Sequence, residues 1–423
     1  MRFASTRGGC EPRTASEAFR EGLAPDGGLF VPEALPALSP EALDPDLPYP
    51  DRALEILAPF IRGDALEPFL PEICRQAFDF PVPLTRLSDR VRILELFHGP
   101  TAAFKDFGAR FLARALERLE AGENRPLTIL AATSGDTGGA VAAAFHRRAG
   151  ISVRVLFPEE GVSERQKKQL TCWDGNVSSY AVRGTFDDCQ RLVKEAFLSP
   201  NLAGRFRLTS ANSINLGRLL PQTVYYVHAS VLFQAETGEK PALVIPSGNV
   251  GNAVGAYWAK AMGAPIARIA LAVNANRALP DFLTEGIYRP RPSVRTIANA
   301  MDVGDPSNLE RLRFLFPDRE TLEREVSARS VSDGEIRDTI RRVFDSCGRV
   351  LCPHTACAEY LRERRLPEVP AVIVATAHPA KFETVVEPLI GRPVPVPPAL
   401  TALFDAPSTF RTIEPSLEEL FES

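Results

Sequence analysis

Runs of consecutive apolar residues alternate with amphipathic or alanine-rich segments along the middle of the chain. Six such runs occupy residues 127–132, 151–157, 177–182, 242–246, 268–273 and 371–375. Continuous apolar runs of this length are typical of strands that are buried on both faces of a parallel sheet. The segments between the runs predict helices, so the pattern favours an α/β fold in which helices flank parallel sheets.

The clearest helix prediction follows Lys105, because apolar residues recur there at helical spacing. The residues that fall on one face are Phe107, Phe111, Leu112, Leu116 and Leu119. Such a stripe predicts a helix that packs one side against the core.

Composition narrows the class of protein. The chain has 423 residues, of which 45% are hydrophobic and 24% charged, so it is long enough for more than one domain. A net charge of -4 argues against a nucleic-acid partner, and no apolar run approaches membrane-spanning length. The seven cysteines form no CxxC pair, so we expect free thiols in a reducing cytoplasm and neither a metal site nor a disulfide framework.

One lysine lies in an apolar turn just before that helix. Phe104 and Phe107 flank Lys105 closely, and Gly99 and Gly108 bound the segment. An apolar site removes water from an amine, lowers its pKa and makes it a nucleophile or a base. That chemistry suits a lysine that holds pyridoxal phosphate (PLP) as a Schiff base. Taken alone, Lys105 fits better as a surface lysine whose stem covers apolar groups, and the motifs that follow change this balance.

A second candidate site, AATSGDTGG (131–139), stands between the first apolar run and a predicted helix at 140–148. Small residues let backbone N–H groups approach an anion at a helix N-terminus. The hydroxyls of Thr133, Ser134 and Thr137 add donors that suit a carboxylate. An ordinary strand-to-helix turn with good capping residues explains the same segment, so both interpretations stay open here.

A third candidate site, SGNVGN (247–252), stands between the run at 242–246 and a predicted helix at 253–262. Two glycines three residues apart at such a turn can form a cradle of amides for a phosphate. Their spacing differs from a dinucleotide fingerprint, and no Lys-Ser or Lys-Thr follows as in a Walker loop. A cofactor with one terminal phosphate fits better, although the signal is weak by itself.

These segments belong to a series of motifs that resembles the threonine synthase family. The motifs are HGPTAAFKD (98–106), ATSGDTG (132–138), SANSIN (210–215) with Arg218, PSGNVGN (246–252), NAMDVGDPSN (299–308), PHTA (353–356) and ATAHPAKF (375–382). The N-terminal STRG (5–8) and LAPDGGLF (23–30) match as well. The resemblance covers nearly the whole chain, and so many motifs in the same order make a chance match very improbable.

The resemblance implies the two-domain fold of PLP enzymes of the tryptophan synthase β type, with parallel sheets flanked by helices and an added N-terminal region. The division that we predict is an N-terminal region at 1–80, a small α/β domain at 103–207, and a large PLP-binding domain at 81–102 and 208–423. The cofactor is then expected in the cleft between the domains.

The resemblance also implies the residues that contact PLP. Lys105 is expected to hold the cofactor at rest and then to move protons on the substrate. Thr376 is expected at the pyridine nitrogen, where a hydroxyl stabilises the protonated ring less than an aspartate would, and Asp136 near the 3-oxygen. The residues expected around the PLP phosphate are Ser247, Gly248, Asn249, Val250, Gly251 and Asn252; the family more often has Phe at position 250.

The substrate implied by the resemblance, O-phospho-L-homoserine, needs two further anion sites. We predict that Thr133, Ser134 and Thr137 bind its carboxylate. The residues predicted to bind its phosphate are Ser213, Asn215, Arg218 and Lys381. Capping of a helix at 210–215, or bracing of a helix by Arg218, would explain part of this set without a ligand. His354 and His378 receive no catalytic role.

The implied reaction converts O-phospho-L-homoserine and water to L-threonine and phosphate. The runner-up is a related phospho-lyase that eliminates phosphate from the same substrate and releases a 2-keto acid or adds another nucleophile. The intact Lys105 and both anion motifs argue against a binding protein that has kept the fold and lost the activity. The missing dinucleotide-binding fingerprint argues against a nicotinamide-dependent dehydrogenase. The expected partner is therefore a small molecule, without nucleic acid or membrane, and the chain is expected to be a monomer or homodimer.

Overall fold

Two mainly parallel sheets, each flanked by helices, organise the chain. The computed structural model describes residues 1–133, 135–160 and 162–421. A small antiparallel sheet pairs the first two strands near the N-terminus. In the described part of the chain, no helix is both long enough and apolar enough to cross a membrane.

The strands are β1 (Phe3–Ser5), β2 (Phe30–Pro32), β3 (Leu84–Arg86), β4 (Val91–Glu95), β5 (Leu127–Ala132), β6 (Ile151–Pro158), β7 (Val177–Val182), β8 (Arg207–Ser210), β9 (Ala242–Pro246), β10 (Arg268–Val273), β11 (Ser327–Ser330), β12 (Ala371–Ala375) and β13 (Arg411–Ile413).

The α-helices are α1 (Ala15–Glu21), α2 (Tyr49–Ile61), α3 (Leu70–Ala77), α4 (Lys105–Leu119), α5 (Asp136–Phe145), α6 (Glu164–Thr171), α7 (Phe186–Leu198), α8 (Pro200–Arg205), α9 (Leu216–Leu219), α10 (Gln222–Thr237), α11 (Gly251–Ala261), α12 (Ala278–Glu285), α13 (Leu309–Leu315), α14 (Arg319–Glu325), α15 (Asp333–Cys347), α16 (Pro353–Arg365), α17 (Glu383–Ile390), α18 (Pro398–Asp405) and α19 (Leu417–Phe421). Short 3-10 turns occupy Glu41–Leu43, Glu67–Phe69, Asn299–Met301 and Pro379–Phe382.

The larger sheet has six strands in the order β11-β10-β9-β12-β4-β3. Three of its strands, β9, β10 and β12, coincide with predicted apolar runs, and they pair in parallel as expected. Val244 in the centre pairs with Ala270 on one side and Ile373 on the other. The edge strand β3 runs antiparallel to β4. The prediction of an α/β fold with parallel sheets is therefore confirmed.

The smaller sheet has five strands in the order β13-β7-β6-β5-β8, all parallel to their neighbours. The predicted runs at 127–132, 151–157 and 177–182 form its three central strands. Strands buried on both faces need continuous apolar sequence, which is why these three were visible in the chain.

The two edge strands of the smaller sheet lie across or outside the predicted boundary of the small domain. β8 runs to Ser210, past the boundary predicted at 207/208, and β13 comes from near the end of the chain, which was predicted in the large domain. Leu420 and Phe421 then pack in the same apolar cluster as Leu130 and Tyr180. These strands have only three or four residues, mostly polar or exposed, so no apolar run announces them.

The N-terminal region packs against the helix that carries Lys105. All five residues of the predicted apolar face of α4 are buried. The ring of Phe19 in α1 meets the edge of Phe111 in α4, with centroids 6.1 Å apart. Complete burial of one such side chain contributes roughly 1.5–3 kcal/mol to stability, so this contact firmly anchors the N-terminal region to α4.

Candidate active site

The candidate motifs come together at one edge of the larger sheet. Its neighbouring strands β9, β12 and β4 are parallel, so the loops that follow them leave from the same edge. Those loops are the predicted phosphate loop, the segment with Thr376 and the turn with Lys105. Ligands in open α/β sheets bind outside these carboxyl ends.

Backbone hydrogen bonds fix the Lys105 turn to the end of β12. Leu96 N donates to the Ala375 carbonyl at 3.0 Å, and Phe104 N donates to the Thr376 carbonyl at 2.8 Å. Lys105 follows as the first residue of α4. The lysine and Thr376 are thus held on adjoining backbone, and both line a cleft between the two sheets.

A buried carboxylate closes the Lys105 turn. Asp106 is 1% exposed, and its two oxygens accept from Thr101 N at 2.9 Å and from Thr101 Oγ1 at 2.7 Å. Gly99 lies directly on this group, since a Cβ at position 99 would fall 2.5 Å from Asp106 Oδ2. The Phe-Lys-Asp sequence therefore shapes the turn that presents Lys105.

The electrostatic surroundings of Lys105 favour a neutral amine. Part of the side chain is accessible from the cleft, but burial of the ammonium lowers the pKa of Lys105 to about 8 from an ordinary 10.5. Asp136 opposes this shift, whereas Lys381 and Arg218 add to it. Near neutral pH, a lysine of this kind exchanges protons more readily than an exposed one.

Side chains hold the 247–252 loop in an unusual conformation. Ser247 Oγ donates to Asn252 Oδ1 at 2.6 Å, and Asn252 Nδ2 donates to the Pro246 carbonyl at 2.9 Å. Val250, just before α11, has a φ of +64°, which is rare for a β-branched residue. Backbone conformations of this kind cluster at ligand sites.

The glycines of this loop leave no room for side chains. A Cβ on Gly248 would meet the Met301 Cα at 2.6 Å, and one on Gly251 would meet Asn308 Nδ2 at 3.2 Å. Asn249 braces the loop, because it donates to Ser213 Oγ at 2.7 Å. The loop and the start of α11 thus form a tight turn at a helix N-terminus, called the cradle below, and such turns suit an anion.

The loop after β5 forms the opposite wall of the cleft. Thr133 Oγ1 accepts from Gly135 N at 3.0 Å and from Gly138 N at 2.8 Å, so this hydroxyl caps the start of α5. Asp136 and Thr137 line the cleft together with Thr133. Ser134 lies outside the described residues. The Thr133 hydroxyl therefore serves as a cap, and Thr137 lines the cleft beside it.

Arg218 lies in the cleft wall as a buried cation. It is 3% exposed, its Nη1 donates to the Ala211 carbonyl, and its Nε has no hydrogen-bond partner among the described residues. Burial lowers the pKa of Arg218 to about 10, so the group stays charged at neutral pH. A buried guanidinium with donor capacity left over is suited to an anionic ligand.

Three residues predicted at the substrate phosphate have other contacts. Asn215 is fully buried; its amide nitrogen donates to Phe19 O and Ser210 O, and its oxygen caps α9. Ser213 accepts from Asn249 and Asn308, which places it at the cradle. Lys381 bonds Thr101 O and pairs with Asp136. A motif specifies residue types but not the direction of side chains, and in the structure the polar atoms of these three residues bond to other protein groups.

Two cleft residues lacked a predicted site role. His354 Nε2 accepts from Ala300 N at 3.2 Å, and burial lowers the pKa of His354 to about 4, so the ring is neutral. Asp302 accepts from Asn274 Nδ2 at 2.7 Å and from Thr296 Oγ1 at 2.7 Å. These bonds hold the segment that packs on Gly248. Both residues belong to quoted motifs, which is the signal that could have found them.

Comparison with known proteins agrees with this arrangement. The chain matches the family model of pyridoxal-phosphate dependent enzymes over residues 81–402 and that of the threonine synthase N terminus over residues 2–78. Threonine synthase from Serratia marcescens is 40% identical over 408 residues, which cover 96% of this chain and 94% of the relative.

Solved structures show the same similarity over the full chain. The crystal structure of threonine synthase from Escherichia coli has a TM-score of 0.92 and 37% identity, and the match covers 99% of this chain and 98% of that one. The PLP-bound threonine synthase from Brucella melitensis has a TM-score of 0.91 and 33% identity, with 100% and 98% covered. The similarity therefore includes both sheets and the N-terminal region.

Proposed function

The chain belongs to the threonine synthase family of pyridoxal-phosphate dependent enzymes, and we propose that it performs the family reaction with Lys105 as its cofactor lysine. The reaction converts O-phospho-L-homoserine and water to L-threonine and phosphate. The observation that carries the proposal is a single cleft that contains a desolvated lysine, a tight glycine loop at a helix N-terminus and a buried arginine with donor capacity left over.

The cleft residues fit PLP. A Cβ on Gly248 would lie 2.6 Å from the Met301 Cα, so the loop must stay free of a side chain there, as a loop that presents backbone amides to an anion requires. The buried Asp136 Oδ1 pairs with Lys381 Nζ at 2.8 Å. We propose that the cradle holds the cofactor phosphate, that Asp136 lies near the 3-oxygen, and that Thr376 faces the pyridine nitrogen.

Lys105 is the residue proposed to move protons. PLP, when bound, supplies an electron sink that stabilises negative charge on the substrate carbon next to the amino group. The Lys105 amine takes the proton from Cα; a proton is then lost from Cβ as the Cγ–O bond breaks and phosphate leaves. A proton is added at Cγ, the hydroxyl of water adds at Cβ while the second water proton balances the released phosphate, and the Cα proton is returned. The lowered pKa of Lys105 keeps a useful fraction of its amine in the basic form at neutral pH.

Two groups of residues are proposed to bind the ends of the substrate. Thr137 and the amides of the described loop residues 135–139 bind the carboxylate, with Thr133 shaping the loop through its capping bonds; Ser134, predicted at the same site, lies outside the described residues. Arg218 binds the substrate phosphate through its unpaired donor, while the Ser213 hydroxyl serves the cofactor cradle. Fixed donors of this kind stabilise charge as the phosphate departs.

Product analysis tests the proposed function. The purified protein is incubated with PLP and O-phospho-L-homoserine, and the products are followed by NMR. We expect threonine and phosphate in equal amounts. A 2-keto acid in place of threonine would instead identify the phospho-lyase alternative, and absence of any turnover would contradict both.

The cellular setting is part of the same proposal. We propose a cytoplasmic enzyme that acts on a small molecule, in keeping with a net charge of -4 and seven free cysteines. Light scattering of the purified protein would decide between the monomer and the homodimer that we expect.

A further inference from the structure

Lys381 is a buried ammonium that connects the two domains. It lies in the 3-10 turn after β12 and is 1% exposed. Its Nζ donates to the Thr101 carbonyl at 2.9 Å and lies 2.8 Å from Oδ1 of Asp136, the first residue of α5 in the small domain. Asp136 is itself 4% exposed, so this ion pair is shielded from water and salt.

The same ammonium also touches the turn that presents Lys105. The Thr101 residue that accepts from Lys381 also donates its N–H and hydroxyl to Asp106, next to Lys105. A change at Lys381 therefore acts both on the backbone of this turn and on the charge of Asp136. We propose that Lys381 is a positioning residue that holds Asp136 in its ionised form and keeps Lys105 neutral enough to act. This inference rests on the proposed role of Lys105.

The charges around Lys105 determine whether a loss of the Lys381 charge raises or lowers the pKa of Lys105. The groups that face Lys105 are Asp136 from α5, Arg218 from α9, His354 from α16 and Lys381 from the turn after β12. His354 is neutral, because burial lowers its pKa to about 4. Asp136 thus favours the ammonium form of Lys105, whereas Lys381 and Arg218 disfavour it.

The pKa of Asp136 shows how strongly the neighbouring ammonium groups stabilise its carboxylate. Burial works to raise the pKa of Asp136, but the ammoniums of Lys381 and Lys105 outweigh it and hold that pKa well below the ordinary range. Without the charge of Lys381, the carboxylate would rely on Lys105 alone, which would then retain its proton to a higher pH. A buried carboxylate that loses one partner charge binds the remaining one more strongly.

Neutralisation of each partner tests this inference. In the full-length protein freed of PLP, trace acetic anhydride labels neutral amines, and peptide mass spectrometry gives the pH at which Lys105 is half labelled. In Lys381→Gln, which can still donate to the Thr101 carbonyl, we expect this midpoint to rise by about one pH unit. In Asp136→Asn we expect it to fall, and in the double variant it should lie between the two.

The pH titration of the visible cofactor absorbance, measured on the PLP-bound protein, provides a second readout. Its midpoint should rise in Lys381→Gln as well. Lys240→Gln, a change at an exposed lysine, is the matched control and should leave both midpoints unchanged. Lys381→Arg keeps the charge and should also stay within about half a pH unit of the wild type.

Several results would overturn the inference. A Lys105 midpoint that stays the same or falls in Lys381→Gln would do so, and Lys381→Met provides the same comparison if the glutamine variant does not fold. A shift of one pH unit in Lys381→Arg would also contradict it. Failure of the proposed function looks different, because the wild type would then lack visible cofactor absorbance while the labelling of Lys105 would still report on Lys381.

Discussion

Phe104 donates its backbone N–H to the carbonyl of Thr376 across 2.8 Å. This bond joins the residue before the reactive lysine to the residue expected at the far end of the cofactor ring. The loops belong to β4 and β12, which pair in parallel from Val91 with Ala371 to Glu95 with Ala375. The sheet therefore fixes the spacing between the two chemical groups, and a cofactor held between them needs little rearrangement of the backbone.

Gly248→Ala should disrupt the phosphate cradle. A Cβ would lie 2.6 Å from the Met301 Cα, and because that neighbour is backbone it cannot move aside. We expect a loss of about 1–3 kcal/mol in stability and a sharp fall in PLP retained after dialysis.

The control for this variant is Gly204→Ala, because position 204 lies in the exposed helix α8 with no atom near the added Cβ. That change should leave PLP retention unchanged. Wild-type PLP occupancy in Gly248→Ala would place the cofactor phosphate elsewhere.

Arg218→Leu should weaken the use of phosphorylated substrate. The guanidinium of Arg218 lines the cleft with donor capacity left over, and charge-assisted hydrogen bonds contribute roughly 1.5–3 kcal/mol each. We therefore expect kcat/KM for O-phospho-L-homoserine to fall at least about tenfold, or about 1.4 kcal/mol. Inhibition by inorganic phosphate should weaken in parallel.

Arg337→Leu is the matched control, because Arg337 is an exposed arginine on α15. It should change neither kcat/KM for O-phospho-L-homoserine nor the inhibition by inorganic phosphate. Equal inhibition constants for phosphate in Arg218→Leu and the wild type would show that Arg218 only braces its helix.

His228 makes the protein less stable in acid. Its Nε2 contacts the Val82 carbonyl at 3.2 Å, Tyr49 packs on its ring, and burial lowers the pKa of His228 to about 4 from an ordinary 6.5. Below about pH 6.5, His228 therefore binds a proton in the unfolded chain but stays neutral in the folded chain. The free energy of unfolding is expected to fall as pH drops from 6.5 toward 4.

The variant His228→Gln lacks this proton-binding difference. Its Tm should fall less between pH 7 and pH 5 than that of the wild type, by an amount corresponding to about 1 kcal/mol or more. Parallel Tm profiles for the two proteins would contradict the assignment.

The central strands and the candidate motifs could be predicted from the sequence, whereas side-chain direction could not. The runs that form β5 and β9 are continuous and apolar because both faces are buried, and this leaves a clear signal. β13 has only three residues and pairs with β7, which lies much earlier in the chain. Its position in the sheet therefore depends on a long-range contact that leaves no local signal in the sequence.

In the candidate site, too, the sequence could not predict the contacts of single side chains. Asn215 and Lys381 belong to motifs that line the cleft, yet their polar atoms face the protein. Asn215 donates to the Phe19 carbonyl and Lys381 pairs with Asp136, and both contacts join segments that are far apart in the sequence. Residue type and spacing carry no information about such partners, so only a three-dimensional structure could identify these contacts.

The identity of the cofactor lysine is the most direct test of this account. The protein is incubated with PLP, reduced with borohydride and digested, and the modified peptide is identified by mass spectrometry. We expect the reduced cofactor on Lys105, and Lys105→Ala should lose the label and all turnover while its circular dichroism stays that of the wild type. A label on any other lysine would contradict the assignment of Lys105 and, with it, the proposed mechanism.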